Sequence, residues 1–351
     1  MDIKQLLQQT IDAGASDLHL LTGVPPTLRI DGVLTPLSNF GVMTKDAVLE
    51  LVTQSVTSEQ LNKISVDKEL DFSLAFSEKA RFRGNIYTQK GTLAASFRRI
   101  PLEIPTIDSL GLPKVLHSFT GLRQGLILVT GPTGHGKSTT LAAILNEINI
   151  NRMAHIITIE DPIEFVFRSQ KSIVSQREMN SDTHSWNVAL RSALREDPDV
   201  VLVGEMRDHE TISAALTVAE TGHLVFATLH TNSASQTVDR IVDVFPEEQQ
   251  GQVRLQLSNV LEAVFSQRLI AAIPKGRIAA YELMLGTNAI KTSIRDGKSH
   301  MIDSIMETST EAGMMTLEKS LSELVKSGKI TLNSAQDWSL RPELLSRLIR
   351  S

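Results

Sequence analysis

The run Gly131-Pro132-Thr133-Gly134-His135-Gly136-Lys137-Ser138-Thr139 has the residue types and the spacing to hold a polyphosphate. Its glycines let main-chain N–H groups converge on an anion, and the helix that the run opens points its positive end at the same place. In such a loop Lys137 reaches the β- and γ-phosphates and Ser138 offers its hydroxyl to Mg²⁺. The pattern G-x-x-x-x-G-K-S is complete, and it stands between an apolar strand over 126–130 and a helix over 139–149, the context the motif needs. A chance glycine-rich turn is the alternative, and it has no need of both flanking elements. The chemistry indicated is binding of ATP with Mg²⁺, and its hydrolysis.

Other candidate groups follow in order. Glu160-Asp161-Pro162-Ile163-Glu164 closes a second apolar run. Carboxylates at the carboxyl edge of a parallel sheet lie beside such a loop, where one of them can orient and deprotonate an attacking water, or merely cap a solvated loop. Val200 to Val203 leads into Gly204-Glu205-Met206-Arg207-Asp208, an acid after an apolar strand, which suits Mg²⁺ directly or through water. Asp208 reads instead as the N-cap of a helix over 208–221. His223 and His230 flank the run Leu224-Val225-Phe226-Ala227; either can sense a γ-phosphate, and either can be structural. Arg81 and Arg83 share one face of a strand, with Arg98 and Arg99 on a neighbouring one. Four arginines suggest an anion site that neutralises developing phosphate charge, or a solvated strand face.

The elements that must position these groups are of two styles. Residues 1–100 read as a small α+β domain: a helix over 2–13 capped by Asp2, a hairpin around Asp31-Gly32, a helix over 44–63, then short strands to Ile100. Pro101, Pro105 and Pro113 mark a linker over 101–120. From 121 to 272, four short apolar runs (126–129, 156–159, 200–203, 224–227) alternate with helices, as in a parallel sheet covered on both faces. After residue 247 the periodicity is mainly helical, with one strand near 277–284, so 273–351 reads as a helical C-terminal region. The fold class is therefore α/β.

Composition narrows the partners. A net charge of -5 and an aromatic content of 4% provide neither a broad basic surface nor stacking platforms, so no nucleic acid is expected as a partner. With no cysteine, disulfides and cysteine-ligated zinc are excluded. No 18-residue uncharged apolar run occurs, and the N-terminus lacks the plan of a secretion signal.

The ordered set GPTGHGKSTTLAAIL, TIEDPIEF, ALREDPDVVLVGEMRD and AETGHLVFATLHTNSA, with GASDLHL and ARFRGN nearer the start, resembles the type II/IV secretion ATPases and most closely the PilT-type retraction ATPases of type IV pili. That resemblance implies a homohexameric ring whose subunits have a PAS-like N-terminal domain and a RecA-like P-loop domain. It implies Glu164 as the catalytic glutamate, Glu205 at Mg²⁺, His223 and His230 as the histidine box, and Arg81, Arg83, Arg98 and Arg99 as candidates to complete the ATP site. It further implies a motor in the cytoplasm, held at the inner membrane by a pilus platform protein, that powers pilus retraction and twitching motility, with a paralogous retraction ATPase as a further partner. The neighbouring classes are a PilU-like accessory and a pilus-assembly or type II secretion ATPase; the latter usually carry a tetracysteine zinc site, which this chain lacks. Two departures stand out. His135 replaces the family's small serine or threonine, and Ala289-Ile290-Lys291-Thr292-Ser293-Ile294-Arg295-Asp296-Gly297-Lys298 replaces AIRNLIREGK.

Overall fold

A computed structural model describes residues 1–30, 32–77, 80–100 and 103–350. The expected hairpin residue Asp31 and the linker residue Pro101 lie outside the described residues. The chain forms two compact units, one of residues 1–103 with 162–166, the other of residues 104–161 with 167–351.

In the first unit the strands are β1 (Asp17–Leu21), β2 (Thr27–Ile30), β3 (Val33–Pro36), β4 (Glu69–Ser77), β5 (Ala80–Gln89) and β6 (Thr92–Ile100). They form an antiparallel sheet in the order β3-β2-β1-β6-β5-β4. Alternation decides which face is covered: Leu18, Leu20, Phe82, Ile86, Ala95 and Phe97 are buried together with side chains from three helices. These are α1 (Ile3–Asp12), α2 (Lys45–Ser55) and α3 (Ser58–Asp67). Asp2 caps α1 as its position suggests, accepting from Lys4 N at 2.9 Å. The single helix expected over 44–63 is two helices. Thr57 and Gln60 make a reciprocal capping box there, and starting a new helix satisfies N–H groups that a continuous one would not leave open.

The strands of the second unit are β7 (Gly125–Thr130), β8 (His155–Glu160), β9 (Ile173–Glu178), β10 (Val200–Val203), β11 (Leu224–Leu229), β12 (Leu261–Ala271) and β13 (Arg277–Leu285). Its helices are α4 (Val115–Phe119), α5 (Lys137–Asn151), α6 (Trp186–Ala193), α7 (His209–Glu220), α8 (Ala234–Asp243), α9 (Glu247–Val260), α10 (Asn288–Arg295), α11 (Ile302–Thr308), α12 (Leu317–Lys326), α13 (Leu332–Trp338) and α14 (Pro342–Arg350). The sheet order is β13-β12-β7-β11-β10-β8-β9, parallel except for the antiparallel β12–β13 pair. Successive residues of β7 enter different cores. Leu126 and Leu128 pack with α6 to α10, Ile127 and Val129 with α5, which explains why these strands are apolar on both faces.

Two sequence readings need correction here. Residues 261–271 are a strand, not helix: the run is buried along both faces, and an apolar run of that length has no periodicity to separate the two states. The helical C-terminal region thus shares its sheet with the core through β12 and β13, and the break expected at 272 falls inside that hairpin. Nor is 104–120 a free linker. Ile107, Leu112, Leu116 and Phe119 are buried in the core beneath β7, at roughly 1.5–3 kcal/mol for each such side chain, enough to hold the segment down. Among the described residues no helix is long and apolar enough to cross a membrane.

Candidate active site

The glycine-rich loop leaves β7 and enters α5 at the carboxyl edge of the sheet. Its geometry explains its glycines. Gly131 has φ 137°, and a Cβ there would run into the Gln267 carbonyl of β12. Gly136, at φ 83°, is the N-cap of α5 and carries no capping side chain, so the first amides of the helix remain available to an anion. Gly134, at φ 80°, faces open space. Ser138 and Thr139 follow in the first helical turn, half-buried.

Lys137 is buried, and its Nζ donates to Gly131 O at 2.8 Å and Pro132 O at 3.1 Å. The same Nζ lies 3.3 Å from His230 Nδ1, as does Thr133 Oγ1. On its other side the His230 ring meets Glu205, Nε2 to Oε1, at 3.1 Å. An ammonium can only donate, so Nδ1 accepts and Nε2 carries the proton toward the carboxylate. Arg207 completes the line, 2.7 Å from Glu205 Oε2. Burial pushes the Glu205 carboxyl up, but the hydrogen bond and charge of Arg207, with His230 behind them, outweigh it and hold the group below the usual carboxylate range. The segments that follow three adjacent strands therefore supply one connected set: the lysine after β7, at the start of α5, the histidine after β11 and the acid after β10.

Other predicted residues separate from this set. His223 sits at the opposite edge of the sheet. Its carbonyl accepts from Gly125 N at 3.1 Å, where β7 begins, and its Nδ1 lies 3.0 Å from Val218 O. The reason is strand direction: a strand of six residues stands between His223 and His230, so the two histidines cannot serve one site within a chain. Asp208 caps α7, accepting from Thr211 N at 2.8 Å. Glu160 ends β8 at the carboxyl edge and is buried, its Oε1 accepting from Thr158 Oγ1 at 2.6 Å and from Gln176 Nε2 at 3.2 Å. Glu164 belongs to the segment 162–166 of the N-terminal unit.

The arginines are in that unit too, and they divide. Arg83 on β5 is in register with Arg98 on β6, so with Arg81 they share a face. Arg99 pairs with Phe82 and points to the other face, which corrects the idea of one four-arginine site. Arg81 Nε donates to Ser73 Oγ at 2.7 Å, Arg83 lies 3.9 Å from Asp71, and Arg98 Nε donates to Asp17 Oδ1 at 2.9 Å.

Gln267 escaped the sequence reading. Its amide donates to His135 O at 2.6 Å and accepts from Thr140 Oγ1 at 2.7 Å, so it fastens loop and helix together. Nothing in a lone glutamine 132 residues further along the chain signals this. Arg207 did have a signal, its place two residues after Glu205. Ser138 and Glu205 offer the one or two oxygen ligands that Mg²⁺ needs beyond phosphate and water, so the donor set fits that ion.

A parallel sheet with this loop, an acid two strands away and a histidine between them define a P-loop nucleoside triphosphatase. Comparison with known proteins narrows the class. The family model described as type II/IV secretion system protein matches residues 1–275. The type IV pilus retraction ATPase PilT of Pseudomonas aeruginosa is 48% identical over 343 residues, covering 98% of this chain and 99% of that one. A twitching motility protein of Neisseria gonorrhoeae is 45% identical over 322 residues, covering 92% and 86% respectively. A crystal structure of the pilus retraction motor PilT with bound ADP superposes with a TM-score of 0.93 at 46% identity over 99% of each chain. The chain belongs to the type II/IV secretion system protein family, as a PilT-type, ATP-hydrolysing enzyme.

Proposed function

We propose that this protein is the motor of type IV pilus retraction, a homohexamer that spends ATP on moving its N-terminal units against its ATPase units and so drives a membrane platform protein. The observation that carries the ATPase part is the hydrogen-bonded line from Lys137 through His230 to Glu205. Main-chain amides of Gly134 to Ser138 grip the phosphates, and Lys137 exchanges its carbonyl partners for phosphate oxygens. Ser138 and, directly or through water, Glu205 would hold Mg²⁺, which would supply neutralisation of phosphate charge. Glu164 takes the proton of the attacking water. Arg81, Arg83 and Arg98, which share one face of the sheet, neutralise charge on the terminal phosphate, and Arg99, on the other face, is the weaker candidate for that role. His230, tied to both lysine and acid, senses whether that phosphate is present. In the cell this places the protein on the cytoplasmic side of the inner membrane, beside the platform and a paralogous ATPase.

Lys137→Ala tests the chemistry: ATPase turnover falls by about a hundredfold or more, since one preorganised donor to a developing charge is worth that much. Unchanged turnover would end the reading. The load is tested separately, by restoring twitching motility to a strain deleted for its own retraction ATPase with this gene alone. Active enzyme without twitching would remove the retraction claim and leave the ATPase standing.

A further inference from the structure

His135 is the residue of the loop that the ATPase chemistry does not explain. Its main-chain carbonyl accepts from Gln267, and its ring makes two further contacts. Nδ1 accepts from Leu269 N of β12 at 2.9 Å. The ring also stands edge-on to Trp338 at the end of α13, with centroids 5.1 Å apart and planes at 68°. Trp338 in turn accepts, through its carbonyl, from Arg268 Nη1 at 2.9 Å. Arg268 is buried, and its Nη2 donates to Asn232 O at 3.1 Å, two residues beyond His230. The end of α13 thus holds both loops of the site, one through an imidazole and the other through a guanidinium.

We propose that His135 is a positioning residue that clasps the phosphate loop to β12 and to Trp338, so that nucleotide affinity depends on the docking of the C-terminal helices. A serine at this position has a hydroxyl but no ring to reach an indole, so the clasp is a property of the imidazole. The bond from Leu269 N requires an unprotonated Nδ1. The surroundings favour that form: burial comes first, and the charges of Lys137 on the loop, Arg268 on β12 and Arg277 on β13 act the same way, holding the ring below the ordinary histidine range. The clasp is therefore closed at neutral pH.

The test uses the full-length protein with four variants: His135→Ser, Trp338→Ala, Trp338→Phe and the double His135→Ser/Trp338→Ala. Hydrogen exchange without nucleotide is the first readout, and it does not depend on the ATPase reading. Protection of the Leu269 amide and of residues 133–136 falls in His135→Ser and Trp338→Ala and returns in Trp338→Phe. Titration with ADP and Mg²⁺ is the second, and its nucleotide arm rests on that reading. The dissociation constant rises by about three- to tenfold in each single variant, the size of one aromatic pair, and no further in the double, because both changes open the same clasp. Meanwhile kcat of the two Trp338 single variants stays within about twofold, which a general loss of folding would not permit. Unchanged exchange in both singles, or additive losses in the double, overturns the clasp. If the wild type itself binds no ADP, the ATPase reading fails and the exchange data alone decide the clasp.

Discussion

The two edges of the seven-stranded sheet use the same residue types for opposite purposes. At the amino edge, polar side chains are bonded to main chain. His223 Nδ1 sits on Val218 O, His155 Nδ1 on Glu196 O at 2.9 Å, and Arg152 Nη1 donates to Thr120 O and Leu122 O at 3.0 and 2.7 Å. At the carboxyl edge, Lys137, His230, Glu205 and Arg207 are bonded to one another. The difference follows from chain direction. Each strand's amino end meets the end of a preceding helix, where carbonyls lack helical partners and take N–H donors; each carboxyl end meets the start of the next helix, where N–H groups lack partners and take acceptors. At the first edge these side chains are bonded to main-chain carbonyls. The second keeps open amides beside a set of charges, and that is where an anion can be worked on.

The largest effect that sharpens this contrast is expected from Gly131→Ala. Its Cβ would meet the Gln267 carbonyl, so the loop must shift; ATPase turnover drops by about a hundredfold and ADP binding weakens with it, read by a coupled phosphate assay and calorimetry. Normal turnover would mean that the close approach to β12 is not needed.

Next comes the pair of histidines. His230→Ala removes bonds to a charged lysine and a charged acid and slows turnover by about ten- to hundredfold. His223→Ala leaves turnover within about twofold and costs roughly 1 kcal/mol of stability, the value of one hydrogen bond. Equal losses of turnover from both would break the contrast between the edges, and would mean that His223 reaches an ATP site other than that of its own chain.

The smallest effect concerns Glu282 on β13, buried beside the carboxyl edge and accepting from Ala234 N, the first amide of α8, at 2.6 Å. Burial raises its pKa from 4.5 to about 7, helped by the charges of Asp303 and Glu318 and opposed by the Ala234 N–H and by Arg341. Between those two pH values the folded protein keeps a proton that the unfolded chain has released, so this group's contribution to stability falls as pH rises through the window and levels off above it. In Glu282→Gln that decline is absent, and the variant unfolds at a higher urea concentration than the wild type at pH 8 but not at pH 4.5. Parallel pH profiles for the two proteins would show that the carboxyl does not titrate there.

Much of the active site was legible because its signals are local. The loop from Gly131 to Ser138 depends on conformations that only certain residues adopt, and an acid directly after a buried strand carries its own address. The ends of β11 were less legible: His223 and His230 look alike in a string of letters, and only a known strand direction separates them. The arginines teach the same lesson. Arg98 and Arg99 are adjacent in sequence, yet the register with Arg83 and Phe82 sends them to opposite faces. The strand β12 was hidden because burial on both faces erases periodicity, and with it went Gln267 and Arg268.

The residue order by itself determined an α/β fold, a phosphate loop at the start of α5 and an acid just past a buried strand, since each rests on interactions between near neighbours in the chain. Only tertiary structure decided which histidine faces the lysine, which arginines share a face, and that a tryptophan more than 200 residues away rests against the phosphate loop. Such contacts arise from the packing of β12 beside β7 and of α13 against α12 and β12, and the free energy that selects them is spread over the whole core rather than written at any one position.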